Sequence, residues 1–359
     1  MKRIAIISSF AWIKIANNYG ALFQYYALQQ YLLNKGHYAF WIRYILNANK
    51  FRFLINAIRR FIKNPRIAYN TYICHCSFMQ YCKNHLNLSE DVYTEHSLDE
   101  SYPIADYYIT GSDQVWGGTI PANYLRFVKN DSKKIAYAAS FGHADIDKEQ
   151  LDIITPWIKS FSHISVRESS GVDICNSICC YAEHLLDPTL LLNEEKYPHT
   201  ERLLNKDYLF AYFLNVANLD DLAWDSIVEY AKGNNMELKV CAVQGSQYQF
   251  KSKYLVFPSP VEWITYYRDA ELIVTNTFHG TVFAIIHHKP FVCLLQSGHS
   301  AKQNTRIISL LGSFGLNGRV LEAGGSIQEI ACQPIEWGGV DNILQEWRKK
   351  TDGFFNFLK

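Results

Sequence analysis

The sequence predicts an α/β protein with two domains, and three observations support this fold class. Short apolar runs rich in β-branched residues alternate along the chain with segments whose apolar residues recur at helical spacing. The stretch from Glu271 to Leu295 shows the pattern most clearly, with a strand, a polar turn, a helix and a second strand in succession. The length of 359 residues exceeds that of one typical domain, so two domains are expected.

The first half opens with a βαβ unit. Arg3 to Ser9 and Tyr38 to Tyr44 are expected as buried parallel strands, joined by a helix over Ala21 to Asn34 that Gly36 ends. Gly20, just before this helix, either permits close approach of a ligand or is an ordinary turn glycine, and the residues leave both interpretations open. The rest of this half is expected to contain three strands, over 106–110, 134–140 and 163–166, and a helix over 147–160.

The second half repeats the alternation after a polar, charged connection from Asn193 to Asp207. Its further strands and helices are expected over 208–214, 220–232, 237–243 and 262–269. The sequence therefore predicts an N-terminal α/β domain over 1–200, a C-terminal α/β domain over 201–340 and a terminal helix over 341–359.

The turn between Val274 and His279 carries the strongest functional signal. Asn276 and Thr277 are good capping residues, and His279 follows them at the start of the helix, beyond the carboxyl end of a strand. Open α/β sheets bind ligands at this position, and the N–H groups of a helix N-terminus favour an anion. A titratable imidazole beside an anion site suits catalysis, so we interpret His279 as functional rather than as a buried structural histidine.

A second candidate site follows the strand over 106–110. The segment Gly111-Ser112-Asp113-Gln114-Val115-Trp116 is typical of a sugar platform, in which the Trp116 face stacks on a sugar ring while Asp113 and Gln114 bond its hydroxyls. The alternative is a buried Trp116 with Asp113 as a helix cap.

Two arginines stand where strands or loops pass into helices. Arg167 lies just past the strand over 163–166, and Arg306 begins the helix after the polar loop over 298–305. A guanidinium group at such a position can bind a carboxylate or a phosphate bidentately. The alternatives are a structural ion pair of Arg167 with Glu168 or another acid, and a surface position for Arg306.

Charge is distributed unevenly along the chain. The net charge is +1, but no Asp or Glu precedes Glu90, and the first 89 residues carry 12 Lys and Arg. A basic amphipathic helix is expected over 50–66, and it either makes peripheral contact with a membrane or packs on the core with a solvated basic face. Nucleic acid is a weaker partner because the chain shows no RNA-binding motif.

Composition suggests a cytoplasmic protein. No secretory leader or membrane-spanning stretch is expected, and nine cysteines without framework spacing indicate reduced thiols. Cys74, Cys76 and Cys82 with His85 match no common zinc pattern, so no metal is expected. No GxGxxG or Walker loop is present, which argues against those nucleotide sites.

Five segments follow one another in order across nearly the whole chain. They are NNYGALFQYYALQQ (Asn17 to Gln30), ITGSDQVWGG (Ile109 to Gly118), SVRESSG (Ser165 to Gly171), LLDPTLLL (Leu185 to Leu192) and TNTFHGTVFAIIHHKPF (Thr275 to Phe291). Together with the later Asn304-Thr305-Arg306 before an apolar helix, these segments resemble the polysaccharide pyruvyl transferase family.

The resemblance implies two Rossmann-like domains in a GT-B-type arrangement with a cleft between them. Such enzymes transfer the pyruvyl group of phosphoenolpyruvate to two hydroxyls of one sugar, as a cyclic ketal used in surface polysaccharides. Phosphoenolpyruvate is then a co-substrate, no cofactor is needed, and the saccharide acceptor is often carried on a lipid diphosphate. The basic N-terminal domain would take the acceptor, at the inner face of the membrane, and the C-terminal domain the donor.

The resemblance also implies site residues. His279 would be the acid. Some members carry an arginine two positions before it, where this chain has Thr277, and we assign that missing positive charge to Arg306 as a hypothesis. The donor would be bound by Arg167, Arg306, Asn276, Thr277, Gly280 and Asn304. The acceptor would be bound by Asn18, Tyr19, Gly20, Asp113, Gln114 and Trp116.

Two other functions remain open at this point. One is a GT-B glycosyltransferase in which His279 and Arg306 grip the diphosphate of a nucleotide sugar. The other is a non-catalytic protein that binds saccharide or nucleic acid through its basic N-terminal half.

Overall fold

The N-terminal lobe is built on a seven-stranded sheet. The computed structural model describes residues 1–8, 17–46, 58–322 and 324–359. All neighbours in this sheet pair in parallel, in the order β3-β2-β1-β4-β5-β6-β7. The strands are β1 Arg3–Ile7, β2 Tyr38–Tyr44, β3 Leu88–Tyr93, β4 Tyr107–Thr110, β5 Lys134–Ala139, β6 His163–Val166 and β7 Glu183–His184.

Helices cover this sheet and connect its strands. They are α1 Tyr19–Asn34, α2 Pro65–His85, α3 Glu95–Glu100, α4 Lys148–Ile158 and α5 Ser169–Ser177. The sequence patterns missed β3, β7, α2 and α3. The hydrophobic period of α2 is hard to read because its exposed face is also rich in Tyr, Ile and Met.

The C-terminal lobe has a five-stranded parallel sheet in the order β12-β11-β10-β8-β9. Its strands are β8 Tyr208–Phe213, β9 Glu237–Ala242, β10 Leu272–Thr275, β11 Phe291–Leu294 and β12 Val320–Leu321. The remaining helices are α6 Trp224–Gly233, α7 Pro260–Asp269, α8 Phe278–Ile286, α9 Asn304–Phe314, α10 Ile327–Cys332 and α11 Trp337–Phe354.

The last helix returns to the N-terminal lobe. On α11 the Arg348 guanidinium donates to the carbonyl oxygens of Leu190 (2.8 Å) and Leu192 (2.9 Å). Beyond its end, the Phe355 ring lies 5.0 Å from that of Tyr137 in β5. The chain therefore crosses between the lobes twice, which ties their relative placement to two separate connections.

Buried aromatic rings join the lobes at the base of the cleft. Tyr19 and Phe23 of α1 stack on Trp263 of α7, with centroids 5.1 and 5.6 Å away. The largest apolar cluster accordingly contains residues of both lobes. Because aromatic burial of this size dominates core energetics, this contact holds the two sheets in one orientation around the cleft.

Part of the expected amphipathic helix falls outside the described residues. The segment 50–57 belongs to that part, whereas residues 58–63 are helical and lead into α2. No helix among the described residues is long and apolar enough to cross a bilayer.

Candidate active site

A cavity of about 210 Å³ opens between the two lobes at the carboxyl ends of central strands of both sheets. Asn18, Asp113 and Gln114 line it from the N-terminal lobe. The C-terminal lobe supplies the other wall, whose residues are Tyr212, Leu214, Asn215, Gln244, Thr277, Phe278, His279, Gln296, Gln303 and Arg306. Six of the sequence-predicted site residues therefore meet at one cavity.

The turn after β10 is built by short hydrogen bonds. Thr277 is the N-cap of α8, as capping chemistry predicts, and its Oγ1 accepts from the Gly280 N–H at 2.8 Å. A methyl group at Gly280 would lie 2.1 Å from Thr275 Oγ1, so glycine alone lets the helix start this close to the strand end. The Gly280 N–H is thus used inside the turn, and the expected direct role of Gly280 in donor binding is corrected to a structural one.

His279 is held against the opposite lobe. Its side chain is 10% exposed, and a methyl group at Gly20 would lie only 2.3 Å from the ring atoms Cγ and Nδ1. The close approach expected at Gly20 therefore exists, but what approaches the backbone is this imidazole. Its Nε2 lies 3.5 Å from Asp187 Oδ2, an ion-pair distance for a protonated ring and long for a hydrogen bond.

Asp187 is a residue that the sequence analysis did not assign. Its Oδ2 accepts from Ser112 Oγ (2.6 Å) and Arg167 Nη1 (2.9 Å), and its Oδ1 accepts from Thr189 Oγ1 (2.6 Å). Burial by itself would raise the pKa of this carboxyl, but His279, Arg167 and the Ser112 hydroxyl hold it well below its ordinary value. Asp187 is therefore ionised and faces His279 from the other lobe.

Arg167 belongs to this buried network and does not line the cavity. Its side chain is 1% exposed, Nε donates to Glu168 at 3.0 Å, and the guanidinium stacks 4.3 Å from the Phe278 ring centroid. Burial would lower the pKa of Arg167, but the charges of Glu168 and Asp187 raise it. The expectation that Arg167 binds the donor directly is wrong for this conformation, because its guanidinium is buried outside the cavity lining and pairs with two carboxylates.

Arg306 differs because its partners are neutral. Its Nη2 donates to Gln303 Oε1 at 2.8 Å, and with the Gln114 amide oxygen turned towards it, Nη1 donates to that oxygen at 2.7 Å. Burial, with the charge of Arg167 added, lowers the pKa of Arg306 to about 10. Within the described residues, Arg306 is a cavity-lining cation whose hydrogen bonds go to neutral oxygens, which suits it to an anionic ligand.

Two predicted acceptor residues are buried instead. Trp116 is 0% exposed and stacks on Tyr124, with centroids 5.8 Å apart, and its backbone N–H donates to Ser140 O at 3.0 Å just after β5. The sugar platform at Trp116 is therefore wrong, and the buried alternative is correct. Tyr19 is also 0% exposed; α1 starts at this residue, and its hydroxyl donates to Pro258 O at 2.6 Å.

Neighbouring Asp113 has left-handed backbone geometry, with φ of 87°. Its carbonyl accepts from the Val115 and Ser140 N–H groups, so it ends β4 as a sharp turn and caps no helix. Asp113 and Gln114 nevertheless line the cavity, which keeps both as candidate binding residues.

The three predicted asparagines serve the backbone. Asn18 lines the cavity and caps α1, accepting from the Ala21 N–H at 3.1 Å. Asn276 bonds both the N–H and the carbonyl of Leu214, and Asn304 does the same with Gln296. Asn276 and Asn304 do not line the cavity, so the predicted donor contacts are corrected to a loop-fixing position for both amides.

Several uncharged residues of the wall were not predicted from the sequence. Tyr212, Asn215, Gln244, Gln296 and Gln303 line the cavity without any motif of their own. Gln303 alone had a local signal, since it stands three residues before Arg306 and shares its helical face.

Two Rossmann-like lobes facing each other across a cleft define the class of this protein, the GT-B-type arrangement. Solved structures with this fold cover almost the whole chain. UDP-GlcNAc 2-epimerase of Methanocaldococcus jannaschii, in complex with UDP-GlcNAc and UDP, has 12% identity, a TM-score of 0.52 and coverage of 97% of this chain and 94% of its own. The S. aureus MnaA–UDP structure has 10% identity, a TM-score of 0.53 and coverage of 92% and 86%.

The family follows from the sequence itself. Residues 18–298 match the family model described as polysaccharide pyruvyl transferase. The chain therefore belongs to the polysaccharide pyruvyl transferase family, as its motifs indicate. No curated relative matches the chain in sequence.

Proposed function

We propose that this protein transfers the pyruvyl group of phosphoenolpyruvate to two hydroxyls of a sugar, forming a cyclic ketal and releasing phosphate. The observation that carries the proposal is that His279 and Arg306 line the same wall of the cavity, with the ionised Asp187 behind the imidazole. The substrate offers a carboxylate, a phosphate and an enol carbon that accepts a proton, and this wall offers a cation and an acid.

Arg306 would bind the donor. Its guanidinium can exchange hydrogen bonds with the Gln303 and Gln114 oxygens for stronger, charge-assisted bonds to a carboxylate or phosphate. Binding an anion also removes part of the cost of keeping this cation buried. The start of α8, capped by Thr277, adds the favourable end of a helix dipole to the same wall.

His279 would protonate C3 of phosphoenolpyruvate. Its Nε2 faces Asp187 at 3.5 Å, which leaves Nδ1 as the nitrogen that would transfer the proton. Protonation at C3 makes C2 an oxocarbenium-like centre. The first sugar hydroxyl adds there and loses its proton; the second then displaces phosphate at the same carbon, losing its own proton as the C–O bond to phosphate breaks.

The acceptor would lie against the N-terminal wall. Asn18 and Asp113 present polar groups there, opposite His279. The amides of Gln244 and Gln296 on the facing wall are further candidates for hydroxyl recognition. A wall of neutral amides and one carboxylate suits a sugar, which carries many hydroxyls and no charge.

The test is phosphate release from phosphoenolpyruvate with a panel of galactose-, mannose- and glucose-type acceptors, with product masses checked for the ketal. His279→Asn should lower turnover by about 10² to 10⁴-fold while phosphoenolpyruvate still binds, because only proton transfer is lost. His288→Asn is the matched control, since this exposed histidine at the other end of α8 has φ of 49°, which asparagine tolerates. Unchanged turnover in His279→Asn, or a thermal shift by nucleotide sugars and none by phosphoenolpyruvate, would refute the proposal.

A further inference from the structure

Helix α2 exposes an apolar face that the proposed reaction does not use. Its buried side packs Ile67, Cys74 and Phe78 into the lobe. On the opposite side Tyr69, Tyr72, Ile73 and Met79 are 62, 54, 49 and 43% exposed. The preceding helical residues 58–63 extend this surface with Ile58, Phe61 and Ile62, which are 51, 58 and 76% exposed.

The same surface contains an apolar groove of about 270 Å³. It lies between the two helical segments and the loop after β9, and it is lined by Arg60, Phe61, Ala68, Tyr69, Thr71, Tyr72 and Tyr248. Contiguous exposed aromatic and aliphatic side chains on a soluble lobe mark an interaction surface rather than ordinary scatter. We call residues 58–63 and the exposed side of α2, with this groove, the basic aromatic face.

The charge of this face has one sign. Arg59, Lys63, Arg66 and Lys83 are exposed on it, and no Asp or Glu occurs between residues 58 and 89. Lys63 Nζ lies 5.0 Å from the centroid of the Tyr248 ring, so one of these cations contacts an aromatic ring that lines the groove. Aromatic and aliphatic side chains among lysines and arginines are what an anionic lipid interface binds, because the rings enter the headgroup layer while the cations meet phosphates.

The face is also close to the mouth of the cleft. Asn17 donates from Nδ2 to the Thr71 carbonyl of α2 at 3.0 Å, and its neighbour Asn18 lines the cavity. On the other lobe, Gln247 donates to Thr71 Oγ1 at 3.4 Å, three residues after the cavity-lining Gln244. One turn of α2 therefore touches both lobes beside the cavity and presents Tyr72 outward.

We propose that the basic aromatic face docks on an anionic phospholipid bilayer, which would place the mouth of the cleft beside the lipid surface. The docking rests on this surface and does not depend on the proposed function. A bilayer fits this surface better than a second copy of the chain, because a symmetric contact would bring the four cations against their own copies without an acid in between.

The experiment is co-sedimentation of the full chain with vesicles, without phosphoenolpyruvate. The protein should bind vesicles of phosphatidylglycerol and phosphatidylcholine much more tightly than phosphatidylcholine vesicles, and 0.5 M salt should release it. Lys63→Glu with Arg66→Glu should weaken binding about thirty-fold or more (about 2 kcal/mol, near 1 kcal/mol for each cation lost). Tyr72→Ser with Ile73→Ser should also weaken vesicle binding, although the charge of the protein stays the same.

A control separates this surface from general electrostatics. Lys129→Glu with Lys148→Glu removes the same charge from exposed positions outside the face and should leave vesicle affinity within about three-fold. Thermal unfolding midpoints verify that each variant is folded. Turnover of a soluble acceptor should be unchanged in all of them, so loss of the proposed function and loss of docking are distinguished.

Two outcomes would overturn the proposal. One is failure of the wild-type protein to bind anionic vesicles, or equal binding by the Lys63 and Arg66 variant. The other is sedimentation of the wild-type protein as a dimer that Tyr72→Ser with Ile73→Ser converts to a monomer, which would assign the face to a second copy of the chain.

Discussion

The two lobes each bring a buried arginine to the cleft, and the two arginines have opposite surroundings. Arg167 of the N-terminal lobe lies between Glu168 and Asp187, whose charges raise its pKa. Arg306 of the C-terminal lobe is surrounded by the amides of Gln114 and Gln303, and burial lowers its pKa to about 10. Both stand at helix starts, and both look like anion-binding residues in the sequence.

The difference teaches how to tell a structural cation from a binding cation. A buried charge with carboxylate partners is already compensated, so removing it leaves those partners uncompensated and costs stability. A buried charge with neutral partners remains under-compensated until an anion arrives. In the proposed reaction, Arg167 of the N-terminal lobe would thus belong to a fixed polar network, whereas Arg306 of the C-terminal lobe would bind the donor.

The largest expected effect is on folding. Arg167→Met should lower the free energy of unfolding by about 3–5 kcal/mol, because Glu168 and Asp187 would be left buried without their cation. Urea unfolding measures this loss. Arg202→Met is the control: its pair with Asp207 is about half exposed, so it should cost no more than about 1 kcal/mol. An equally small loss of unfolding free energy in Arg167→Met would show that the pairs of Arg167 with Glu168 and Asp187 do not stabilise the N-terminal lobe.

The next effect is on donor use. Arg306→Gln should lower kcat/KM for phosphoenolpyruvate by roughly 10- to 150-fold, the value of a hydrogen bond to a charged group. It should destabilise the fold far less than Arg167→Met. Arg306→Lys should keep part of the activity that Arg306→Gln loses, because lysine retains the positive charge but cannot donate two parallel hydrogen bonds as the guanidinium does. The comparison between the two arginines fails if Arg306→Gln unfolds the protein and leaves the activity of the folded fraction intact.

A methyl group can test the contact between the lobes. Gly20→Ala should lower turnover roughly ten-fold or more, since the new Cβ would overlap the His279 ring and overpacking typically costs about 1–3 kcal/mol. Gly118→Ala, where nothing lies within 4 Å of the added carbon, is the matched control. Wild-type kinetics in Gly20→Ala would show that the imidazole needs no fixed place against the N-terminal lobe.

The smallest effect is a pH dependence. Because the pKa of Arg306 is lowered to about 10, its charge is present below that pH and lost as pH rises through it. The affinity for phosphoenolpyruvate should be steady from pH 8 towards 10 and then fall up to about ten-fold per pH unit. Calorimetry at each pH measures this, with Arg306→Gln as the reference, in which the affinity should stay flat. A parallel fall in that variant would assign the dependence to other groups.

Local chemistry made part of the site predictable from the sequence. Thr277 and His279 could be placed because helix capping and the strand end depend on adjacent residues. Asp187 could not, since its partners Ser112 and Arg167 are 75 and 20 positions away and His279 belongs to the other lobe. The local sequence, an Asp-Pro pair in an apolar run, does not indicate that Asp187 contacts these distant residues.

Burial was the second limit. The alternation of short strands and helices was enough to predict two α/β lobes, because most elements show the spacing of apolar residues that their own secondary structure requires. Whether Trp116 faces solvent depends on the path of the turn after β4. The hydrogen bond from the Trp116 backbone N–H to the Ser140 carbonyl forms only because β4 pairs with β5, which lies farther along the chain. Asn276 and Asn304 were misassigned for a similar reason: each bonds a backbone segment that the sequence does not place beside it.

The position of His279 would have a consequence for the control of the proposed reaction. The imidazole is carried by one lobe, but the glycine it packs against and the carboxylate it faces come from the other. Any hinge movement that separates the lobes would remove the packing and the counter-charge of this imidazole together. Proton transfer would then be restricted to the closed molecule, and an open molecule would bind phosphoenolpyruvate without hydrolysing it.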